Sequence, residues 1–467
     1  MTFTDAAEKL LSARHATRLR PFAERLRRIV FAVDDLAVAQ RMALTAFVIR
    51  VVSAAIAFVS QIILARVMGD FEYGIFVFVW VMAVILGNLS CLGFHTAVIR
   101  FLPQYRAEGN EDAIRGLATT ARIFAMLSAT VIGAAGMIAI HLLGDRVQEF
   151  YVIPLFMGAF ALPMIALGDV LDGTARANGW PVHALAPTYI VRPILILVFV
   201  VAAAYLLGQT DARLALMASL LACWLTTLAQ FIVMTRKLAQ RYRPGRISVH
   251  FRTWSTVAFP IFLIEGFYFL LTNADVVIVG IYLPPEKVAV YYAAAKTMAL
   301  VHFVYFAVKT GAAPRFSGLV SSGSREEMAS FAGQTVHWAF WPSLIVGLLV
   351  ILAGPFLLSL FGPGFEAGHE VMMILFLGII AKAMVGPAEV LLTMAGEQKV
   401  TVGVYGAALA VNIVLNVTLI PVLGIAGAAT ATAVAMMAEA VLLHITVRRR
   451  LGIVLFIGAG SGRRSAE

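Results

Sequence analysis

One apolar stretch, YYAAAKTMALVHFVYFAVKTG at residues 291–311, is long enough to cross a bilayer. It nevertheless contains two lysines and a histidine, Lys296, His302 and Lys309. A cation at the bilayer centre costs about 2.5–3.5 kcal/mol on insertion scales. Such a cation therefore lines a wet cleft, pairs with a carboxylate or extends to the interface. In a wet cleft it can bind an anionic substrate group such as a phosphate.

Other polar side chains within apolar stretches are further candidates for substrate binding: Arg50, Gln61, Arg192 and Lys382. Arg50 shares its helical face with small residues and Gln61, which suits a wet cleft. Alternatives stay open for several candidates. Arg50 can extend to the cytoplasmic surface, as can Lys309, and His302 fits a protein core equally well. Arg192, just before Pro193, can bond to carbonyls that the proline frees.

Three carboxylates within apolar stretches are candidates for ion or proton coupling: Glu265, Asp275 and Glu389. The first two can equally be structural partners of Lys296. Lys382 and Glu389 are seven residues apart on nearly one helical face, which favours an internal ion pair. Asp169 and Asp172 lie near the end of an apolar stretch, and we interpret them as solvated interfacial groups.

The composition indicates a polytopic helical membrane protein. Hydrophobic residues make up 61% of the 467 residues and charged residues 13%, against about 25% charged in soluble domains. Long apolar runs recur along nearly the whole chain. We predict twelve spans, and in the tenth of them Gly378, Gly386 and Pro387 interrupt the helix. The spans lie near residues 42–67, 74–98, 117–143, 150–173, 184–207, 212–235, 254–282, 288–313, 331–354, 370–395, 401–421 and 425–447.

Lysines and arginines predict the orientation, because cytoplasmic loops carry an excess of them. Eight lie in residues 1–41, six in the linker 236–253 and five in residues 448–464, whereas the opposite loops hold only Arg146, Arg213 and Lys287. Both termini and the linker are therefore expected in the cytoplasm. The net charge of +10 then reflects topology and contact with anionic lipids, and it requires no nucleic acid.

Glycines and prolines recur at constant offsets in the two halves of the chain. Gly69 and Gly280 are 211 residues apart, as are Pro103 and Pro314. The pairs Gly144/Gly362 and Gly168/Gly386 are both 218 apart. We predict an all-α polytopic membrane protein with two six-helix lobes related by a pseudo-two-fold axis along the membrane normal.

The predicted organisation has five parts. They are a cytoplasmic basic amphipathic tail at 1–41, an N-terminal lobe at 42–235, a cytoplasmic basic linker at 236–253, a C-terminal lobe at 254–447 and a cytoplasmic tail at 448–467. The amphipathic tail is predicted from apolar residues at helical spacing: Phe22, Leu26, Ile29, Val33 and Leu36. Two such lobes can rock about a shared cleft, which is where a substrate should bind.

Four motifs carry a family resemblance: ILARVMGDFEYGIFVFV (63–79), GFHTAVIRFLPQY (93–105), ADVVIVGIYLPPEKVAVYYAAAKTM (274–298) and NIVLNVTLIPVLGIAGAATATAVA (412–435). Over residues 42–447 the chain resembles the Wzx-type polysaccharide flippases. Their superfamily includes the multidrug and toxin extruders and the lipid II flippase. The lipid II flippase has two further C-terminal spans that form a lipid groove. Here LGIVLFIGAG (451–460) is too short to cross the membrane, so we expect no such groove.

The resemblance implies alternating-access translocation of undecaprenyl-diphosphate-linked oligosaccharides across the bacterial inner membrane, for cell-surface polysaccharide. It places the cleft between the lobes, lined chiefly by spans 1, 2, 7 and 8, in a protein that acts as a monomer. A polysaccharide polymerase and a chain-length regulator are the further partners that it implies. Arg50 and Lys296, one from each lobe, would then hold the diphosphate between them.

Two other functions remain open. A cation or multidrug extruder of the same fold would have an acidic or aromatic cleft, whereas a basic cleft favours a lipid diphosphate. A membrane glycosyltransferase or polymerase would need catalytic carboxylates on large outer loops, and the longest predicted outer loop has one carboxylate, Glu366. No Gly-x-x-x-x-Gly-Lys-Ser/Thr motif occurs, and Cys91 and Cys223 predict no metal site. We therefore predict a transporter without catalytic residues, metal or cofactor.

Overall fold

The computed structural model describes residues 35–208 and 210–458, and this part of the chain is helical throughout its regular elements. The helices are α1 (Asp35–Met68), α2 (Asp70–Ser90), α3 (Phe94–Ala107), α4 (Glu111–Leu143), α5 (Glu149–Ala177), α6 (Pro181–Ala186), α7 (Arg192–Leu207), α8 (Ala212–Arg241), α9 (Phe251–Tyr282), α10 (Pro285–Ser322), α11 (Arg325–Leu352), α12 (Gly354–Ser359), α13 (His369–Ala383), α14 (Ala388–Met394), α15 (Gln398–Leu423) and α16 (Ile425–Leu451). A π-turn, Pro187–Val191, joins α6 to α7. The predicted tail residues Phe22, Leu26, Ile29 and Val33 lie outside the described residues.

Twelve segments in the described ranges are long and apolar enough to cross a membrane. Ten contain a single long helix, and two are composite, α6–α7 and α13–α14. Helices satisfy their own backbone hydrogen bonds, as a chain in hydrocarbon must. The predicted all-α membrane fold with twelve spans is confirmed. Successive spans alternate in direction, so their ends define two faces, the linker face around residues 242–250 and the turn face around Gly69.

The second span ends earlier than the sequence suggested. We predicted a span at 74–98, but α2 ends at Ser90 and a separate helix, α3, begins at Phe94. Leu92 and Gly93 have φ angles of 44° and 81°. A Cβ atom on Gly93 would lie 2.1 Å from the carbonyl oxygen of Ala258 in α9. The break therefore depends on a close approach to a distant helix.

The tenth span is interrupted, as the sequence predicted. Helix α13 ends at Ala383 and α14 begins at Ala388. Gly386 has a φ of 65°, which favours glycine. The Tyr305 hydroxyl donates to the carbonyl of Gly386 at 3.1 Å. A side chain of α10 thus satisfies a backbone group that the break exposes.

Buried side chains form three large cores. One lies in the first half and also takes up Trp254 from the start of α9, whose indole donates to the Tyr105 hydroxyl at 2.9 Å. Another lies in the second half, and it includes Ile453 and Leu455 beyond α16. The largest contains residues of both halves, such as Tyr73 and Tyr291. Helix α9 therefore packs into cores of both halves, and the predicted lobe boundaries stay a prediction.

The largest core closes the molecule at the turn face. Arg66 of α1 donates to the carbonyls of Ser359 and Leu360, at 2.7 Å each, at the end of α12 in the second half. The rings of Phe58 and Phe361 lie edge to face with centroids 5.9 Å apart. These contacts join the two halves at this end.

We expect Arg66→Gln to open the turn face. The variant loses two charge-assisted hydrogen bonds between the halves, and a loss of 1–2 kcal/mol changes a two-state ratio roughly 5–30-fold. The measurement is the rate of maleimide labelling at Ala65→Cys, a buried turn-face position, in a background with Cys91→Ala and Cys223→Ala. Arg146→Gln, which removes an exposed charge from the same face, is the control. Equal labelling of both variants would contradict the contact's role.

Candidate functional site

A cavity of about 560 Å³ lies between the two halves, toward the linker face. Helices α2, α3, α5, α9, α10, α14, α15 and the π-turn contribute to its wall. Its polar and aromatic lining includes Asn88, His95, Thr96, Asp169, Asp172, Arg176 and Tyr189 from the first half and Glu265, Tyr268, Lys309, Glu389 and Tyr405 from the second. The wall can therefore donate, accept and stack against a polar ligand.

The first-half wall contains two carboxylates of α5 with different partners. Arg176 bonds to both oxygens of Asp172, with Nε donating to Oδ1 at 3.1 Å. Asp169 accepts a hydrogen bond from the side-chain amide of Asn88 at 2.8 Å. Asp172 therefore has a cationic partner, whereas the partner of Asp169 is neutral.

Glu265 connects the two halves at the cavity wall. Its carboxylate lies 3.1 Å from Nε2 of His95, and the Thr96 hydroxyl lies 3.0 Å from each of its oxygens. Its side chain is 40% exposed. Helix α9 thus presents to the cavity one of the three carboxylates considered for coupling, in contact with α3.

Two ion pairs occupy the second half, and one differs from our expectation. Glu389 lies 3.2 Å from Lys309 Nζ and accepts from the Tyr305 hydroxyl at 2.8 Å. Lys382 pairs with Glu439 of α16 at 2.6 Å. The expected pair of Lys382 with Glu389 is therefore wrong. Seven residues place two side chains on one face only in a continuous helix, and here the break at 384–387 separates them.

Arg50 and Lys296 each contact an aromatic ring. The Arg50 guanidinium lies 4.1 Å from the ring centroid of Tyr189, and the Lys296 ammonium 4.9 Å from that of Tyr292. Neither forms an ion pair within the described ranges, and neither belongs to the cavity lining. By helix rise, Arg50 lies ~27 Å and Lys296 ~16 Å from the turn-face ends of their helices. The structure does not bring these two cations together.

Three of the remaining predicted residues have partners away from the cavity lining. Gln61 accepts from the Tyr73 hydroxyl at 2.8 Å. The buried Arg192 donates to the Thr227 hydroxyl at 3.3 Å, while its Nε atom has no partner. His302 bonds to the backbone of Met298. Since Thr227 is a side-chain partner, the suggested bond from Arg192 to proline-freed carbonyls does not occur among the described contacts.

Asp275 is buried in a group of hydroxyls. It accepts from Tyr291 at 2.5 Å, and the Thr432 hydroxyl lies at 3.4 Å. Thr432 in turn is 3.4 Å from the amide of Asn412. The alternative that Asp275 forms an ion pair with Lys296 is not what the described contacts show. Its direct partners are neutral hydroxyl and backbone amide groups, and Lys296 acts on it only through space.

Sequence reasoning interpreted Asp169 and Asp172 as interfacial groups, and it left out two further cavity residues and one ion-pair partner: His95, Arg176 and Glu439. A signal existed for Asp172 and Arg176, which stand four apart and pair along one helical face. Glu439 is a lone carboxylate within the last apolar span, which by itself marks a paired or functional group. The position of His95 depended on the break at residues 91–93, which we did not predict.

We expect Lys382→Met and Glu439→Gln each to destabilise the fold by about 3–5 kcal/mol, because each leaves a buried charge unpaired. The double variant should recover most of the loss, since replacing both partners is close to neutral. Unfolding by SDS titration measures these free energies. Glu397→Gln is the control, because its contact with Arg450 at 3.9 Å is partly exposed and worth about 0–1 kcal/mol. Additive losses in the double variant would contradict the pairing.

Comparisons with known proteins agree with this architecture. The family profile described as polysaccharide biosynthesis protein matches residues 41–320, more than half of the chain, and the MatE profile matches residues 260–418. No curated protein sequence matches the chain.

Solved structures match over most of their length. An inward-facing multidrug resistance MATE family transporter of the MOP superfamily has a TM-score of 0.71 at 14% identity, covering 85% of this chain and 94% of the other. The lipid II flippase MurJ, in an inward closed conformation, has a TM-score of 0.69 at 15% identity, and the match covers 87% of each chain. A MOP superfamily transporter from Pyrococcus furiosus, described as having a binding pocket of reverse polarity, has a TM-score of 0.62 at 16% identity. The match covers 89% of this chain and 96% of the other.

The twelve spans and the two halves around a cavity are thus the fold of the MOP superfamily transporters. Because the profile covers residues 41–320, this multi-pass membrane protein belongs to the polysaccharide biosynthesis protein family.

Proposed function

We propose that the protein is a flippase that translocates undecaprenyl-diphosphate-linked oligosaccharides across the bacterial inner membrane. The family match over residues 41–320 carries this proposal. The superfamily fold adds to it, since that fold also occurs in the lipid II flippase. A transporter, with no catalytic role of its own, fits the cavity between two halves.

The cavity suits the glycan part of such a substrate. Its volume of about 560 Å³ lies within the range of small-ligand sites, roughly 300–1,000 Å³. Carboxylates accept hydrogen bonds from sugar hydroxyls, while Asn88 and Arg176 can donate them. The rings of Tyr189, Tyr268 and Tyr405 provide flat apolar surface for the sugar faces.

The diphosphate needs cations that are free to bind it. Lys309 and Lys382 are already paired with carboxylates, so they are weaker candidates. Arg50 and Lys296 have no ion pair among the described contacts, which supports their proposed role. Since their depths differ by ~10 Å along the helices, the diphosphate would contact them in succession, Arg50 first, rather than both at once.

The direction of transport follows from the charge distribution. The linker carries six lysines and arginines, so we assign the linker face to the cytoplasm. The cavity then loads from the cytoplasm while the turn face is closed. Release requires the turn-face contacts to separate and the linker face to close, with the lipid tail remaining in the bilayer. A polysaccharide polymerase and a chain-length regulator would act on the released product.

Three carboxylates are candidates for coupling to an ion gradient, and we favour two of them. Glu265 lies at the cavity wall between the halves, so its charge can respond to their movement. Asp275 is buried among hydroxyls and amides that can surround a proton or a Na⁺ ion. Glu389 is a weaker candidate, because Lys309 already neutralises it.

A second candidate function is extrusion of organic cations. The lining contains four carboxylates against two permanently charged cations, Arg176 and Lys309, and the MatE profile matches residues 260–418. An acidic lining attracts cations, and it is the kind of cleft that we expected of an extruder rather than of a lipid-diphosphate carrier. Efflux of ethidium from intact cells tests this candidate separately.

We expect Lys296→Ala to abolish polysaccharide export at normal protein abundance, because the diphosphate loses a cation at membrane depth. Lys296→Arg should keep part of the activity, whereas Arg50→Lys should lose more, since lysine cannot bind phosphate bidentately. The measurement is surface polysaccharide in a flippase-deficient strain, with membrane levels in parallel. Lys399→Ala, an exposed lysine, is the control. Normal export by Lys296→Ala would remove the lysine from the mechanism, and ethidium efflux without export would favour the extruder.

Glu265→Gln should slow transport severalfold and leave the binding of a neutral glycan intact, because the amide keeps hydrogen-bonding capacity but cannot take up or release a proton. Initial export rates at several pH values and Na⁺ concentrations measure this. Rates that stay equal to those of the unaltered protein under every condition would exclude Glu265 as the coupling group and leave Asp275.

A further inference from the structure

We infer that the part of the carried oligosaccharide that enters the cavity consists of neutral or amino-bearing sugars, and that acidic sugars are excluded from the cavity. This inference rests on the proposed function and concerns the same cavity. It comes from the charges of the cavity lining.

The lining has an excess of negative charge that its own contacts do not remove. Its carboxylates are Asp169, Asp172, Glu265 and Glu389, and its permanent cations are Arg176 and Lys309. With the carboxylates ionised, the net charge of the lining is −2 when His95 is neutral and −1 when His95 is protonated. The excess therefore holds in either state of the histidine. Lys296 is not part of the lining, and Arg50 lies behind it, 4.1 Å from the ring centroid of the lining residue Tyr189 and close enough to act on Asp172, whose charge Arg176 already neutralises.

The excess is concentrated on one side of the cavity. Arg176 neutralises Asp172, and Lys309 neutralises Glu389. Of the remaining carboxylates, Glu265 lies 3.1 Å from the imidazole of His95, whereas Asp169 has no charged partner among the described contacts. Their other partners are the neutral groups of Asn88 and Thr96. One histidine cannot compensate two carboxylates, so at least one negative charge faces the ligand.

This arrangement discriminates between sugars by charge. A uronic acid or another carboxylated sugar would bring a like charge against Asp169 and Glu265, which is unfavourable in a site of reduced dielectric. Neutral sugars can donate hydroxyl hydrogens to the same oxygens. An ammonium group on an amino sugar forms a stronger, charge-assisted bond there.

The anionic diphosphate does not conflict with this selection. In the proposed mechanism its binding groups are Arg50 and Lys296, which lie outside the lining. The cavity and these two cations would therefore recognise different parts of one substrate, the glycan by neutral or positive charge and the diphosphate by negative charge.

The experiment uses the purified full-length protein in nanodiscs and three soluble trisaccharides of matched length. They are chitotriose, which has free amines, its neutral triacetyl form, and trigalacturonate, which has three carboxylates. Isothermal titration at low salt measures the dissociation constants. We expect chitotriose to bind at least ten times more tightly than trigalacturonate, with the neutral trisaccharide between them.

Asp169→Asn tests the assignment to residues. The variant keeps the shape of the side chain and removes one negative charge, so the dissociation constant of trigalacturonate divided by that of chitotriose should fall at least threefold. Binding of the neutral trisaccharide should change less than twofold. Glu366→Gln, an exposed carboxylate on the turn-face loop, should leave the ratio unchanged. Glu265→Gln should shift the ratio in the same direction and serves as the second variant if Asp169→Asn does not fold.

The outcomes separate the inference from the proposed function. Equal or tighter binding of trigalacturonate, or an unchanged ratio in both cavity variants, would overturn the inference and leave the flippase proposal standing. Binding of tetraphenylphosphonium with no binding of any trisaccharide would overturn the flippase proposal itself, and the inference with it.

Discussion

Compensation of charge within an apolar bundle is the constraint on which the rest of this structure depends. A lone ion at membrane depth is costly, so each deep charge needs a partner, a ring or water. In the second half, Lys309 and Lys382 each lie against a carboxylate and near the ring of Tyr268. In the first half, Arg176 neutralises Asp172. Charges without such a partner are therefore the ones available to a substrate.

Helix breaks position these charges, because they allow residues close in sequence to face different directions. The break at 91–93 lets α3 turn so that His95 and Thr96 reach Glu265 of α9. The break at 384–387 lets Lys382 face α16 while Glu389 faces α10. In both cases glycine allows the backbone to turn, and a distant element makes the turn favourable. Packing between helices thus decides the chemistry of the cavity wall.

Much of the fold could be predicted from the sequence, because a span is a local property. Twenty apolar residues indicate a transmembrane helix wherever they occur, and Gly386 with Pro387 indicated the break in the tenth span. Contacts between distant segments could not be predicted in this way. Glu439 is 57 residues from Lys382, and no local pattern connects them. Asp169 looked like an interfacial group, because the sequence does not show that the cavity extends to its helix end.

Helix α9 belongs to the second half by sequence, but it packs into the cores of both halves. Its first turns fill the core of the first half with Trp254, while Leu271 fills a cluster of the second half. A chain cut within residues 242–250 would leave the N-terminal fragment without this tryptophan and with a hole next to Tyr105. The two halves are thus not separable modules, because the start of the second half forms part of the first half's interior.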